Sequence, residues 1–229
     1  MKPSNQTQRT SLPRSLWILT LVAAAGAGCT LVTPVDDPTE YYVLRNLDTT
    51  RLAGRAGLVV LVGPVTIPEY LNREEIAVAG PQHNLELNEF HVWAENLDRG
   101  VARVVAANLA HLLGSPGIAP YPAVDPPEHD FKVTLVLRRF EPAVDGLVRL
   151  DASYTLSAPR EAGLHPHTVS RSVTTRVANR APPAIADAMS RALSDLSRAI
   201  GRDLLAFDRK RKQAGREKRA DGLSIEPRD

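Results

Sequence analysis

The chain has 229 residues, 43% apolar and 24% charged, with 2 Trp, 5 Tyr, 4 Phe and one cysteine. That composition suits a single domain with a core, and it excludes a collagen-like or wholly disordered chain and a disulfide scaffold. The formal charge of +2 misleads: Lys2, Arg9 and Arg14 fall within residues 1–28, which hold no acid, so the chain beyond sums to −1 and does not suggest a nucleic-acid binder.

The three bases form a positive leader ahead of Leu16–Gly28, an apolar run of 13 residues broken only by Thr20. As a helix this run rises about 20 Å, short of a bilayer core of roughly 30 Å. A cleaved signal peptide over residues 1–28 is therefore expected, and with no other long apolar run a polytopic membrane protein is excluded. Ala25-Gly26-Ala27-Gly28 leads directly into Cys29 and resembles a bacterial lipobox, whose thiol takes diacylglycerol and palmitate-type acyl chains and becomes the mature N-terminus. Gly26 stands where that pattern prefers Leu, and Ala25-Gly26-Ala27 also reads as an ordinary A-x-A cleavage site. Lipidation at Cys29 is the expectation, because a lone exported thiol has no other evident use. Thr30, rather than Asp, follows it, which favours the outer membrane.

Residues 29–40 carry Pro34, Asp36, Asp37 and Pro38 and read as a lipidated tether. A single domain is expected over residues 41–208. Its first strands are Tyr41–Leu47, the wholly apolar Leu58–Val62, Val65–Pro68 after the Gly63-Pro64 break, and Glu75–Ala79. Asp98–Leu113 reads as a helix, with Val101, Val104, Val105, Leu109 and Leu112 on one stripe and Gly114 closing it. Pro116, Pro120, Pro122, Pro126 and Pro127 then forbid helix. Alternation marks strands at Phe131–Arg138 and Val148–Leu156, joined by the hairpin signal Asp145-Gly146, and Thr168–Val177 is a third. Pro182-Pro183 opens a long helix with Ile185, Met189, Leu193, Leu196, Ile200, Leu204 and Phe207 on one face. The fold class expected is α+β, a mixed and largely antiparallel sheet packed against two long helices. Arg209–Arg219 holds seven bases against Glu217 and reads as the start of a basic, disordered tail over residues 209–229.

Catalytic patterns are missing: there is no G-x-S-x-G elbow, phosphate-cradling Gly-rich loop or H-E-x-x-H. His165 and His167 flank Pro166 in a loop and lack companion ligands nearby in sequence. No catalytic residue, metal or cofactor is expected, and the protein should act by contact.

Two stretches in fixed order carry a resemblance: Val62-Gly63-Pro64-Val65-Thr66-Ile67-Pro68-Glu69-Tyr70-Leu71-Asn72-Arg73, then Leu85-Glu86-Leu87-Asn88-Glu89-Phe90-His91-Val92-Trp93-Ala94-Glu95-Asn96-Leu97 running into the helix at Val101–Leu109. With Tyr41–Leu44 after the tether, this order resembles the ABC-type transport auxiliary lipoprotein family, the PqiC-like lipoproteins; Asn96 stands where that family commonly has Pro. The resemblance implies a periplasm-facing, outer-membrane lipoprotein that serves an MCE/ABC-type intermembrane phospholipid transport system by docking an MCE-domain partner.

On the residues themselves, the surface expected to touch a partner is Ile67, Pro68, Tyr70, Leu71 and Arg73, since Gly63-Pro64 ends a buried strand and Pro68 keeps the next residues off the ladder. Simple core packing is the competing account of that segment. Trp93 and Phe90 fit core more often than interface, and Glu95 should cap or pair near the helix start. The alternative function is an envelope structural lipoprotein whose basic tail grips peptidoglycan or anionic lipid. A homo-oligomer is left open.

Overall fold

The structure is a computed structural model that describes residues 36–47, 51–52, 57–123, 128–159 and 164–223, with side chains as far as 216. The signal segment, Cys29 and most of the tether lie outside the described residues, as do Pro126, Pro127 and residues 224–229. In chain order the elements are β1 (Glu40–Tyr42), β2 (Val60–Thr66), a 3-10 turn (Glu69–Leu71), β3 (Glu75–Ala79), β4 (Leu85–Trp93), α1 (Leu97–Leu113), β5 (Ile118–Pro120), β6 (Phe131–Pro142), β7 (Leu147–Ser157), β8 (His167–Arg176) and α2 (Pro182–Leu223). The fold is mixed α+β, with the strands divided between a sheet of three, ordered β1-β4-β3, and a sheet of five, ordered β5-β2-β6-β7-β8.

The run of apolar residues in β2 is explained by its place. Val60, Leu61 and Val62 are all buried, and the strand is flanked in parallel by β5 and β6, with Val60 opposite both Ile118 and Phe131. A strand covered on both faces has no polar positions to offer. β6, β7 and β8 then pair antiparallel, and the inward residues of β7, Val148, Leu150, Ala152, Tyr154 and Leu156, are all buried, as their alternation implied. Gly146, at φ 78°, makes the β6–β7 turn, while Asp145 Oδ1 accepts the Leu147 N–H at 3.1 Å. β5 lies inside the Pro-rich stretch where only a connector was expected; it is a three-residue edge strand that ends on Pro120, which the ladder tolerates at an edge.

Gly63-Pro64 does not end β2. The strand continues to Thr66, but its register against β6 shifts between Val62 and Val65. Gly63 has φ 125°, and a Cβ there would lie 3.0 Å from the Tyr121 Cβ, so only glycine fits. β1 is also shorter than expected: it stops at Tyr42, and the Arg45 N–H bonds to Ser190 Oγ at 3.0 Å instead of to a strand.

The two helices cover the core. The α1 stripe Val101, Val104, Val105, Leu109 and Leu112 is buried, and Gly114 closes the helix at φ 61°, its N–H directed at the Ala110 and His111 carbonyls. α2 buries Ile185, Met189, Leu193, Leu196, Ile200, Leu204 and Phe207. The helices pack on each other, with Asn108 Nδ2 donating to Ser197 Oγ at 3.1 Å.

The basic tail is corrected by the structure. The helix does not end near Asp208 but runs to Leu223. Arg211 is part of the packing: its guanidinium sits 4.7 Å from the Phe131 ring centre and reaches Asp130 at 3.1 Å and buried Asp208 at 3.4 Å. Lys212 meets Asp208 at 3.1 Å. One of the bases assigned to a tail, Arg211, therefore holds the helix to the domain, while Lys212 pairs within the helix.

Candidate functional site

The segment after β2 leaves the sheet as expected and folds into a single 3-10 turn. Its bonds are Leu71 N–H to the Pro68 carbonyl and Asn72 N–H to the Glu69 carbonyl, both 3.0 Å. Pro68 itself has no N–H to offer a ladder. The turn sorts the expected contact residues. Tyr70 is 37% exposed, Ile67 and Pro68 are half-buried, and Arg73 is half-buried with its Nε enclosed and unpaired among the described residues. Leu71 is corrected: it is 3% exposed and belongs to the core, because a 3-10 turn points adjacent side chains in different directions and the apolar one turns inward.

Tyr70 is fixed by a buried carboxylate. Its hydroxyl donates to Glu141 Oε2 at 3.0 Å, the same oxygen that accepts the Phe140 N–H at 3.0 Å, while Arg139 Nε lies 3.3 Å from Oε1. Glu141 is only 6% exposed. Burial raises its pKa above the ordinary carboxylate value, against the lowering effect of its hydrogen bonds and of Arg139. Burial beside that carboxylate pushes the Tyr70 hydroxyl up to about 12, so it remains a donor at any physiological pH. The pair ties an exposed aromatic ring to the end of β6.

Glu141 and Arg139 were not foreseen. The alternation Phe131, Val133, Leu135, Leu137 predicts odd residues inward, but the β6–β7 register shifts between Leu137 and Arg139, after which Phe140 and Glu141 are both buried. Phe140 and Pro142 then stand opposite buried Leu150 and Val148, while Glu141 is opposite Arg149 on the other face and meets Tyr70 from far along the chain, which leaves no mark in the period.

Next to this junction the two sheets meet, with Val144 N–H donating to the Ala79 carbonyl at 3.1 Å. A groove of about 280 Å³ opens there, floored by Ile76, Val78, Pro142, Val144 and Ile185, with Glu86, Asn88 and Arg180 at its margin. Trp93 is core, at the inner end of β4, whereas Phe90 is exposed. Glu95 pairs with Arg103 one helical turn into α1, and Arg103 also donates to the Leu44 carbonyl at 2.9 Å. His165 is exposed, and His167 stacks on Phe207 with ring centres 6.4 Å apart. Among the described residues no three His, Cys, Asp or Glu side chains converge. The arrangement offers an apolar and aromatic contact surface.

A solved structure of an uncharacterized protein, 16% identical, superposes with a TM-score of 0.59 over 72% of this chain and 98% of its own. A Xanthomonas campestris protein of the DUF330 family, 15% identical, gives 0.53 over 76% and 97%. Likeness at this identity speaks to the fold. No curated protein sequence matches. The family model described as "ABC-type transport auxiliary lipoprotein component", which is not an enzyme family, matches residues 42–201, and since that span covers well over half of the sequence, including α1, β2 to β8 and the first half of α2, the chain belongs to this family.

Proposed function

We propose that the protein is an outer-membrane lipoprotein, anchored through Cys29 and facing the periplasm, that serves an MCE/ABC-type intermembrane phospholipid transport system by docking its MCE-domain partner. The observation that carries the reading is the family match over residues 42–201. The exposed Tyr70 ring supports it as a contact point: an aromatic beside Ile67, Pro68 and Arg73 has the apolar-plus-Arg makeup of interface centres. Its hydroxyl is held by Glu141, so the ring is presented with little conformational entropy left to lose on docking.

The test is affinity purification of the detergent-solubilised, lipidated protein beside an unrelated lipoprotein as control. Enrichment of an MCE-domain protein is the expected result, and no enrichment over the control overturns the reading. Tyr70→Ala in the same assay separates the docking surface from the partnership: the reading of the turn predicts a loss of about 1–3 kcal/mol in partner affinity.

A further inference from the structure

Several large apolar side chains that the described surface leaves exposed gather where the chain enters the domain. Tyr41 is 68% exposed and Phe90 51%, with Val43 and Leu47 close behind. Alternation accounts for the exposure on β1. Glu40 and Tyr42 face His91: the Tyr42 hydroxyl bonds to Glu40 and lies 3.2 Å from His91 Nδ1, and Leu44, two residues on, is buried in the core. Tyr41 and Val43 have the opposite parity and point outward. Phe90 lies on β4 just before the residues that pair with β1 and is exposed as well.

We propose that this exposed aromatic patch on β1 and β4 rests on the phospholipid surface to which the chain is tied. The inference rests on the Cys29 anchor proposed above. Residues 30–39 separate Cys29 from Glu40. A flexible chain of that length spans roughly 17 Å on average, so β1 is the element kept nearest the bilayer and its face meets the lipid at high effective concentration. Tyr and Phe are the rings that settle at headgroup depth, where an apolar body and a polar tip are both accommodated.

The test uses full-length lipidated protein in which Tyr41, Phe90 or, as a control on β6, exposed Arg138 is replaced by Cys and labelled with a polarity-sensitive fluorophore. Mass spectrometry of the mature N-terminus first establishes the lipid. In phosphatidylcholine vesicles with brominated acyl chains, probes at 41 and 90 should be quenched and the probe at 138 should not. Solvent-like, unquenched emission at 41 and 90 in protein shown to be lipidated overturns the inference while leaving the anchor intact. A blue shift without quenching overturns it in favour of a protein neighbour, either the partner or a second copy. If no lipid is found, the anchor reading falls, and quenching at 41 and 90 by added vesicles still decides the face.

Discussion

Glu141 is a carboxylate that the fold holds under strain of charge. In the unfolded chain it titrates near 4.5, and in the folded protein burial raises that value. Between the two the folded state binds more protons, so this group makes the protein more stable as pH falls from the raised value, with the gain complete below about 4.5. Glu141→Gln keeps an acceptor for Tyr70 and removes the titration. As pH falls from neutral, the variant should gain less melting temperature, or lose more, than the parent, and a curve parallel to the parent's would count against the assignment. The neighbouring turn gives a second contrast. Leu71→Ala should lower stability by about 2–5 kcal/mol as a buried large-to-small change. Tyr70→Ala leaves its ring space in solvent and should cost less, about 1–3 kcal/mol, mainly the lost donor to a buried carboxylate. Denaturant titration of both variants gives the order directly.

At the scale of elements, the long C-terminal helix changes the meaning of its basic residues. Arg211 lies over Phe131 and joins Asp130 to Asp208, which is buried. Arg211→Ala should therefore destabilise the protein by about 1–3 kcal/mol, since it removes the cation over Phe131 and the pairing with Asp130, while Lys212 still meets Asp208. Arg209→Ala, at an exposed position, should change stability by less than about 0.5 kcal/mol. Equal effects in thermal melts would return these residues to the role of a solvated tail. The sequence made them look alike because net charge is all that a run of Arg and Lys displays; which base meets a distant aspartate depends on how α2 crosses β6. The elements that were legible share one trait, a period enforced by burial on one side: the α1 stripe, β7, and the apolar face of α2 as far as Phe207. Those that were not, β5 and the interior of β6 beyond Leu137, are set by partners far along the chain.

For the whole molecule, the proposed anchor makes one residue outside the domain decide where it resides. Cys29→Ala should release the protein from membranes or leave an unprocessed precursor, and the intact mass of the mature N-terminus checks this; an unmodified chain that begins at Gly28 would defeat it. The turn proposed as the contact surface was half legible. Pro68 marked the departure from the sheet, and Tyr70 beside it remained exposed, but the carboxylate that steadies Tyr70 sits 71 residues later. The same separation governs assembly in time. β2 has no neighbour in its sheet until β5 and β6 exist, and Val60 waits for Phe131 before its second side is covered. At about 5–20 residues per second of synthesis that wait is roughly 4–14 s. During it, Leu58–Val62 is a bare apolar strand of the kind that pairs with the wrong edge. A nascent chain stalled between residues 66 and 130 should thus need a holdase to stay soluble, whereas one that has emitted β6 and β7 should not.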